Sequence, residues 1–172
     1  MIILETERLY IREFTYDDAP FIIELVNNPT WLEFIGDRNV NNLEDAHRYM
    51  RDKIIYLYQQ YGYGPWLLED KHTHESIGMC GLINRDFLLH TDIGYALLPG
   101  FTGKGLAFEA AKAVLDYGYG VLQLPAIVAI TLPTNTASIR LLQKLGMQSS
   151  SSIQPPQSPN TLSLFEPVTV NN

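Results

Sequence analysis

The sequence predicts an α/β fold in which helices cover the faces of a mixed sheet. Segments of strand-like alternation and of helical apolar spacing take turns along the chain, and Gly, Pro and Asn punctuate them. No internal repeat or boundary interrupts the series, so the 172 residues, 46% of them hydrophobic, read as a single domain spanning 1–172. A chain of this length buries roughly 70% of the surface its unfolded form exposes.

Leu4 to Phe14 alternates Leu9, Ile11 and Glu13 against Tyr10, Arg12 and Phe14, which predicts a first strand. Asp17 and Asp18 open a helix with Phe21, Ile22, Leu25 and Val26 at helical spacing, and Asn28-Pro29 stops it. Residues 27–42 are irregular, a loop or short helix anchored by Trp31, Phe34 and Ile35. A second helix runs from Leu43 to about Tyr58. Tyr61 to Leu68 and Ser76 to Leu82 pair as strands across a polar turn at Asp70 to Glu75, and Thr91 to Leu98 is a further strand ended by Pro99-Gly100. The next helix starts near Thr102 or Gly103 and runs to Tyr117, where Gly118 and Gly120 end it. Ala126 to Leu132 is a short buried strand, and Asn135 to Leu145 a helix closed by Gly146. Ser149 to Asn160 is a low-complexity loop before a last strand at Leu162 to Val168.

Composition excludes several classes. A net charge of −7 disfavours a nucleic-acid backbone as partner. No apolar run reaches the ~20 residues of a membrane span, and Glu5, Glu7 and Arg8 arrive too early for a secretory signal, which points to the cytoplasm. The single cysteine, Cys80, forms no internal disulfide and reads as a small buried hydrophobe. His72 and His74 have only Asp70 and Glu75 nearby in a surface turn, so no metal site is expected. The acidity is uneven: residues 1–70 hold 13 acidic and 6 basic side chains, the remainder 6 of each. That excess is either a solvated face or a funnel for a cationic ligand.

The densest chemical signal is Gly100-Phe101-Thr102-Gly103-Lys104-Gly105-Leu106-Ala107, between a strand and an amphipathic helix. Glycines at a helix N-terminus let backbone N–H groups close on a phosphate, and the helix dipole favours the negative charge. A P-loop requires four residues before Gly-Lys and then Ser or Thr, whereas two follow Gly100 here and Gly105 follows Lys104. A Rossmann fingerprint fails because Phe108 stands where its third Gly belongs.

Gly103 to Ala107 with Glu109-Ala110 resembles the acetyl-CoA signature of the GNAT superfamily, most closely the branch of ribosomal-protein N-terminal acetyltransferases. Further similarity lies in Glu5-Thr6-Glu7-Arg8-Leu9 with Arg12, Ile77-Gly78 with Cys80-Gly81-Leu82, and Ile93-Gly94-Tyr95. It continues in Asn135-Thr136-Ala137-Ser138-Ile139-Arg140 and Lys144-Leu145-Gly146, so the matches cover about Leu4 to Met147 in the family's order. The resemblance implies a mixed, mostly antiparallel twisted sheet of about six to seven strands flanked by about four helices. It also implies direct acetyl transfer from acetyl-CoA to a primary amine, such as a peptide or protein N-terminus or a small amine, by a monomer or homodimer. With the acidic N-terminal part, a cationic amine is the expected acceptor.

By the same resemblance, Ala96, Leu97 and Leu98 would offer strand backbone to the pantetheine arm, Thr102, Gly103, Lys104, Gly105, Leu106 and Ala107 would hold the pyrophosphate, and Asn135 would touch the arm. Asn135 is equally suited to cap its helix. Two departures stand out. Gly100 replaces the Arg or Gln that often opens the motif, and Leu142 replaces the tyrosine that often protonates the leaving thiolate. Ser138, three residues after Asn135, can take that role in the resembling branch, or is a plain helix hydroxyl. A free amine, pKa roughly 8 to 10, must lose a proton, for which Asp92, His90 or no dedicated base are open alternatives. The missing tyrosine also leaves open a non-catalytic acyl-CoA-binding module.

Overall fold

The structure, a computed structural model, describes residues 1–168. The chain runs β1 (Ile2–Glu5), β2 (Leu9–Arg12), α1 (Ala19–Asn27), α2 (Pro29–Phe34), α3 (Leu43–Met50), α4 (Tyr56–Tyr61), β3 (Pro65–Asp70), β4 (Ser76–Ile83) and β5 (Thr91–Leu97). It continues through α5 (Leu106–Gly120), β6 (Ile127–Thr131), α6 (Thr136–Lys144), β7 (Met147–Ile153) and β8 (Leu162–Pro167). The eight strands form one mixed sheet in the order β1-β2-β3-β4-β5-β6-β8-β7, with β5 and β6 the parallel neighbours.

Both faces of the sheet are covered, which explains the unbroken apolar run of β3: Leu67 and Leu68 are each fully buried yet belong to different cores. Leu68 joins Trp66, Ile77, Ile93 and Ile127 against Val114 of α5 and Leu142 of α6. Leu67 and Met79 pack with Ile22 and Leu25 of α1, Trp31 of α2 and Met50 of α3. Each large side chain buried this way contributes about 1.5–3 kcal/mol.

The sheet has one more strand than the upper expectation, because two segments read differently. Leu4 to Phe14 is a hairpin: the Thr6 N–H bonds the Leu9 carbonyl at 2.9 Å and the Thr6 hydroxyl accepts from the Leu9 N–H at 3.0 Å, turning the chain between β1 and β2. The first part of the segment expected to be a loop from Ser149 to Asn160 instead belongs to edge strand β7, Met147–Ile153, paired with β8. Gln148 to Ser152 are all exposed, so no buried face imprints alternation on the sequence.

The long helix α5 also departs from expectation at both ends. It passes through Gly118, where an added Cβ would lie 2.5 Å from the Ile127 side chain, so this glycine permits close helix-sheet packing and does not end the helix. It begins at Leu106 because Gly103 (φ +74°) and Gly105 (φ +78°) hold the left-handed conformation that breaks helical propagation.

One irregularity positions the site. The β5·β6 ladder has two rungs, Thr91↔Ile127 and Asp92↔Val128, after which β6 pairs with β8 from Ala129 to Thr131 and the backbone of β5 from Ile93 onward faces an open seam. Unpaired backbone groups there need another partner.

Candidate active site

The Gly-rich loop lies just past the C-terminal end of β5. Thr102, Gly103, Lys104 and Gly105 are exposed, and a Cβ built on Gly103 meets no atom within 4 Å. The first-turn N–H groups of α5, from Leu106 and Ala107 onward, have no intrahelical acceptor, and no side chain caps them. Gly105 occupies the cap position, and its carbonyl accepts the Glu109 N–H at 3.0 Å. The result is an uncapped, sterically open helix N-terminus with the positive end of a 15-residue dipole, which fits an anionic phosphate group.

Arg8 braces this loop from behind. Its Nη1 donates to the Lys104 carbonyl at 2.9 Å and its Nε to Glu109 Oε2 at 2.7 Å, while its backbone N–H donates to Oε1 at 2.8 Å. The Thr6 hydroxyl adds a 2.6 Å bond to the same carboxylate. Neither residue was singled out for a role by sequence reasoning. Their place in the Glu5-to-Leu9 motif was the available signal, but nothing local ties that motif to a helix 100 positions away.

Along β5 the side chains divide by face. Ile93, Tyr95 and Leu97 turn toward α5 and α6, whereas Ala96 and the following Leu98 pack against the α1-to-α4 core. Asn135 caps α6, its Oδ1 accepting the Ser138 N–H at 3.2 Å, so the capping alternative describes the side chain here. Ser138 Oγ is 2.7 Å from the Tyr95 hydroxyl. Burial pushes the Tyr95 phenol above its ordinary range, opposed by the Ser138 hydrogen bond, so the phenol stays a neutral proton-bearing group. Leu142 is 1% exposed in the core, out of reach of any proton-transfer role. Tyr95 is the residue the sequence reading passed over, although its shared face with Ile93 and Leu97 was legible in the alternation.

Asp92 sits on the last paired rung of the seam and is 1% exposed. Arg85, in the loop before β5, donates its Nε to Asp92 Oδ1 at 3.0 Å. Burial pushes the carboxyl up to about 6, with Arg85 restraining the rise. Asp92 lies on the face of Ala96, opposite Tyr95 and Ser138, so the two candidate proton-transfer groups flank the seam from its two sides. They are about 10 Å apart along the strand by the rise of an extended chain. His90 lies just ahead of β5 and is half-buried.

The remaining motifs stay outside the site. His74 Nδ1 lies 3.1 Å from Glu69 in the β3–β4 turn, and no metal-holding cluster occurs among the described residues. Cys80 is fully buried in β4, and burial raises its thiol above the ordinary range.

The chain belongs to the GNAT acetyltransferase family: the model of the acetyltransferase (GNAT) domain matches residues 8–148. It is 34% identical to the uncharacterized N-acetyltransferase YoaA of Bacillus subtilis over 85% of this chain and 82% of that protein. Against Bacillus subtilis YkkB the identity is 41%, over 55% of this chain and 56% of that protein. Among solved structures, the Vibrio fischeri ribosomal-protein-S5-alanine acetyltransferase covers 98% of this chain and 97% of its own at TM-score 0.79 and 20% identity. RimL, a ribosomal L7/L12 alpha-N-protein acetyltransferase solved with coenzyme A, covers 98% of both chains at TM-score 0.80 and 18% identity. Those two likenesses establish the fold. The protein is an acyltransferase of the N-acetyltransferase kind, and no helix among the described residues is long and apolar enough to cross a membrane.

Proposed function

We propose that the protein transfers acetyl directly from acetyl-CoA to a primary amine, either a peptide or protein N-terminus or a small amine. The observation that carries this reading is the two-rung seam between β5 and β6 opening onto the uncapped glycine loop of α5. The β5 edge at Ala96 and Leu97 borders the open seam and suits the amides of the pantetheine arm, while the backbone of Leu98 is already engaged, its N–H donating to the Ile77 carbonyl at 2.9 Å and its carbonyl accepting the Phe101 N–H at 3.0 Å. The loop from Thr102 to Ala107, with Gly103, Lys104, Gly105 and Leu106, suits the pyrophosphate, and Asn135 flanks the arm from α6. Acetyl-CoA supplies the thioester acyl group.

The chain's own contribution is placement and proton handling. Orienting an amine against a bound thioester supplies much of the acceleration. Asp92, ionised at neutral pH but close to it, is a better proton acceptor than an ordinary aspartate and takes the amine proton on one side of the seam. On the other side Ser138, hydrogen-bonded to Tyr95, delivers a proton to the departing thiolate. In this reading the Ser138–Tyr95 pair takes the role of the tyrosine missing at Leu142, whose absence leaves a non-catalytic module as the alternative.

The test is a thermal-shift titration with acetyl-CoA, desulfo-CoA and ATP, followed by thiol release across a panel of amines. Stabilisation by both CoA compounds, none by ATP, and amine-dependent thiol release are expected. Stabilisation without release would return the protein to the binding-module reading.

A further inference from the structure

We propose that Arg85 is a positioning residue for acetyl transfer: its guanidinium holds the buried Asp92 carboxylate in place as the anion that accepts the amine proton. The proposal rests on the reading of Asp92 as the base and adds to it the side chain through which that base is held.

Seven positions separate the two residues, on the loop that leaves β4 after Ile83 and enters β5 at Thr91. The Leu88 N–H donates to the Arg85 carbonyl at 3.1 Å, so the chain turns back at Arg85. Its side chain reaches β5, where Nε donates to Asp92 Oδ1 at 3.0 Å. Asp92 is the partner of Ile83 on the β4–β5 ladder and of Val128 on the β5–β6 ladder. The sheet thus fixes its backbone from both sides, and Arg85 fixes the carboxyl. Because the bond is to Oδ1, Oδ2 is assigned the proton. The ammonium gives one proton to Oδ2, its nitrogen keeps the electron pair that attacks the thioester carbon, and Asp92 afterwards releases the proton to solvent. Arg85 neither gains nor loses one.

Burial makes this contact decide the state of the acid. The Asp92 side chain is 2% exposed and that of Arg85 32%, so the carboxylate has given up its water while the guanidinium keeps part of its own. A buried carboxylate with neither water nor a cation takes up a proton instead of bearing the cost of an isolated charge. Removing one partner of such a pair leaves the other uncompensated. Both effects act on Asp92, burial raising its carboxyl to about 6 and the charge and hydrogen bond of Arg85 lowering it.

The other titratable groups around Arg85 are Asp86 and His90 of its own loop and Tyr49 of α3, whose phenol is raised by burial and lowered by the charges of Arg38 and Arg85. Asp86 has the wrong sign to hold a carboxylate, a neutral phenol has no charge, and an imidazole is charged only when protonated. A guanidinium stays charged throughout the working range. The cation 3.0 Å from Oδ1 is therefore the counter-charge of the base.

The experiment follows kcat and KM for acetyl-CoA-dependent thiol release against pH in Arg85→Met, Arg85→Lys, Asp92→Asn and the double variant of Arg85→Met with Asp92→Asn. Arg85→Met keeps the length of the side chain but removes its charge and its donors. It is expected to lower kcat about tenfold, through lost orientation, and to move the lower rise of kcat/KM up by about one pH unit. The KM for acetyl-CoA should hold, since Arg85 lies at the opposite end of β5 from the glycine loop. Arg85→Lys should restore the position of the rise but only part of kcat, because charge survives without the guanidinium geometry. The double variant should match Asp92→Asn alone, both changes acting through one carboxylate. Thermal stabilisation by acetyl-CoA shows that each variant is folded, and Arg85→Gln tests the same shift if Arg85→Met is not. A rise left in place in the uncharged variant, whatever its kcat, would overturn the proposal and make Arg85 a loop anchor; so would a double variant slower than Asp92→Asn. If Asp92→Asn keeps the wild-type rate and profile, the base assignment and this proposal fall together, while amine-dependent thiol release keeps acetyl transfer standing. Absence of release with every amine would overturn the acetyl-transfer reading and this proposal with it.

Discussion

Arg8 and Glu109 meet across 101 positions of sequence, the guanidinium Nε and the backbone N–H of Arg8 donating to the two oxygens of one carboxylate. The contact joins the β1–β2 turn to the first turn of α5, and the Arg8 Nη1 bond to the Lys104 carbonyl extends it into the glycine loop. Burial alone would raise the Glu109 carboxyl, but the hydrogen bonds from Thr6 and Arg8 outweigh it and hold the group below its ordinary range. With side chains 39% and 17% exposed, the ion pair itself is worth about 1 kcal/mol or less. Its larger effect is to fix the loop before a ligand arrives. Arg8→Ala is therefore expected to raise the Kd for acetyl-CoA by about tenfold, roughly 1.4 kcal/mol, while kcat at saturating donor changes little. Arg8→Lys should recover little, because one ammonium cannot serve the carboxylate and the carbonyl together. Calorimetry giving an unchanged Kd would confine the contact to a role in holding the hairpin.

Gly105 tests the cradle itself. Its φ of +78° suits glycine, and an added Cβ would come within 3.5 Å of Arg8 Nη2. Gly105→Val combines backbone strain of about 1–3 kcal/mol with a branched side chain facing the phosphate approach. Acetyl-CoA affinity should fall at least tenfold, about 1.4 kcal/mol. A folded variant with wild-type affinity would remove the loop from the donor site.

The 2.7 Å contact between Ser138 and Tyr95 makes a paired prediction. If the two hydroxyls act as one proton path to the thiolate, Ser138→Ala and Tyr95→Phe should each lower kcat about 10- to 100-fold, with small changes in the KM for acetyl-CoA. The double variant should be no worse than Ser138→Ala alone, because both changes cut the same path. Additive losses would mean that Tyr95 acts independently of Ser138, and unchanged kcat in Ser138→Ala would leave that residue a structural hydroxyl.

The parts of the fold legible in the sequence are those where burial imprints a period. Leu9 and Ile11, Phe21 to Val26, and Leu106 to Val114 each face a core on one side, and their spacing records it. The hairpin at Thr6 to Arg8 was hidden because alternation continues through a reversal of direction, and β7 because Gln148 to Ser152 bury nothing. The glycine loop was legible because left-handed backbone at a helix start selects glycine. Tyr95 with Ser138 and Arg8 with Glu109 were not, since each pair joins elements that only the sheet order brings together. Asp92 lay between these cases: its face followed from alternation, but its burial and its partner Arg85 required the seam.

Asp92 carries the last prediction. Its carboxyl is pushed up to about 6 by burial, with Arg85 restraining the rise, against about 4 for an ordinary aspartate. As the base, Asp92 must be ionised, so kcat/KM should rise through pH 6 in the wild type, with a second rise near pH 8 to 10 where the amine itself deprotonates. Asp92→Asn should erase the lower rise and keep the upper one; a lower rise that persists would assign the step to His90. Stability moves in the opposite sense. Between about pH 4 and 6 the folded state holds a proton that the unfolded chain has released, so the contribution of Asp92 is fully present below about pH 4 and is lost as pH climbs through 6. Relative to wild type, Asp92→Asn should therefore gain stability on going from pH 5 to pH 7, by about 1 kcal/mol. Denaturant melts of the two proteins at both pH values read this directly, and a difference independent of pH would place the Asp92 titration outside that window.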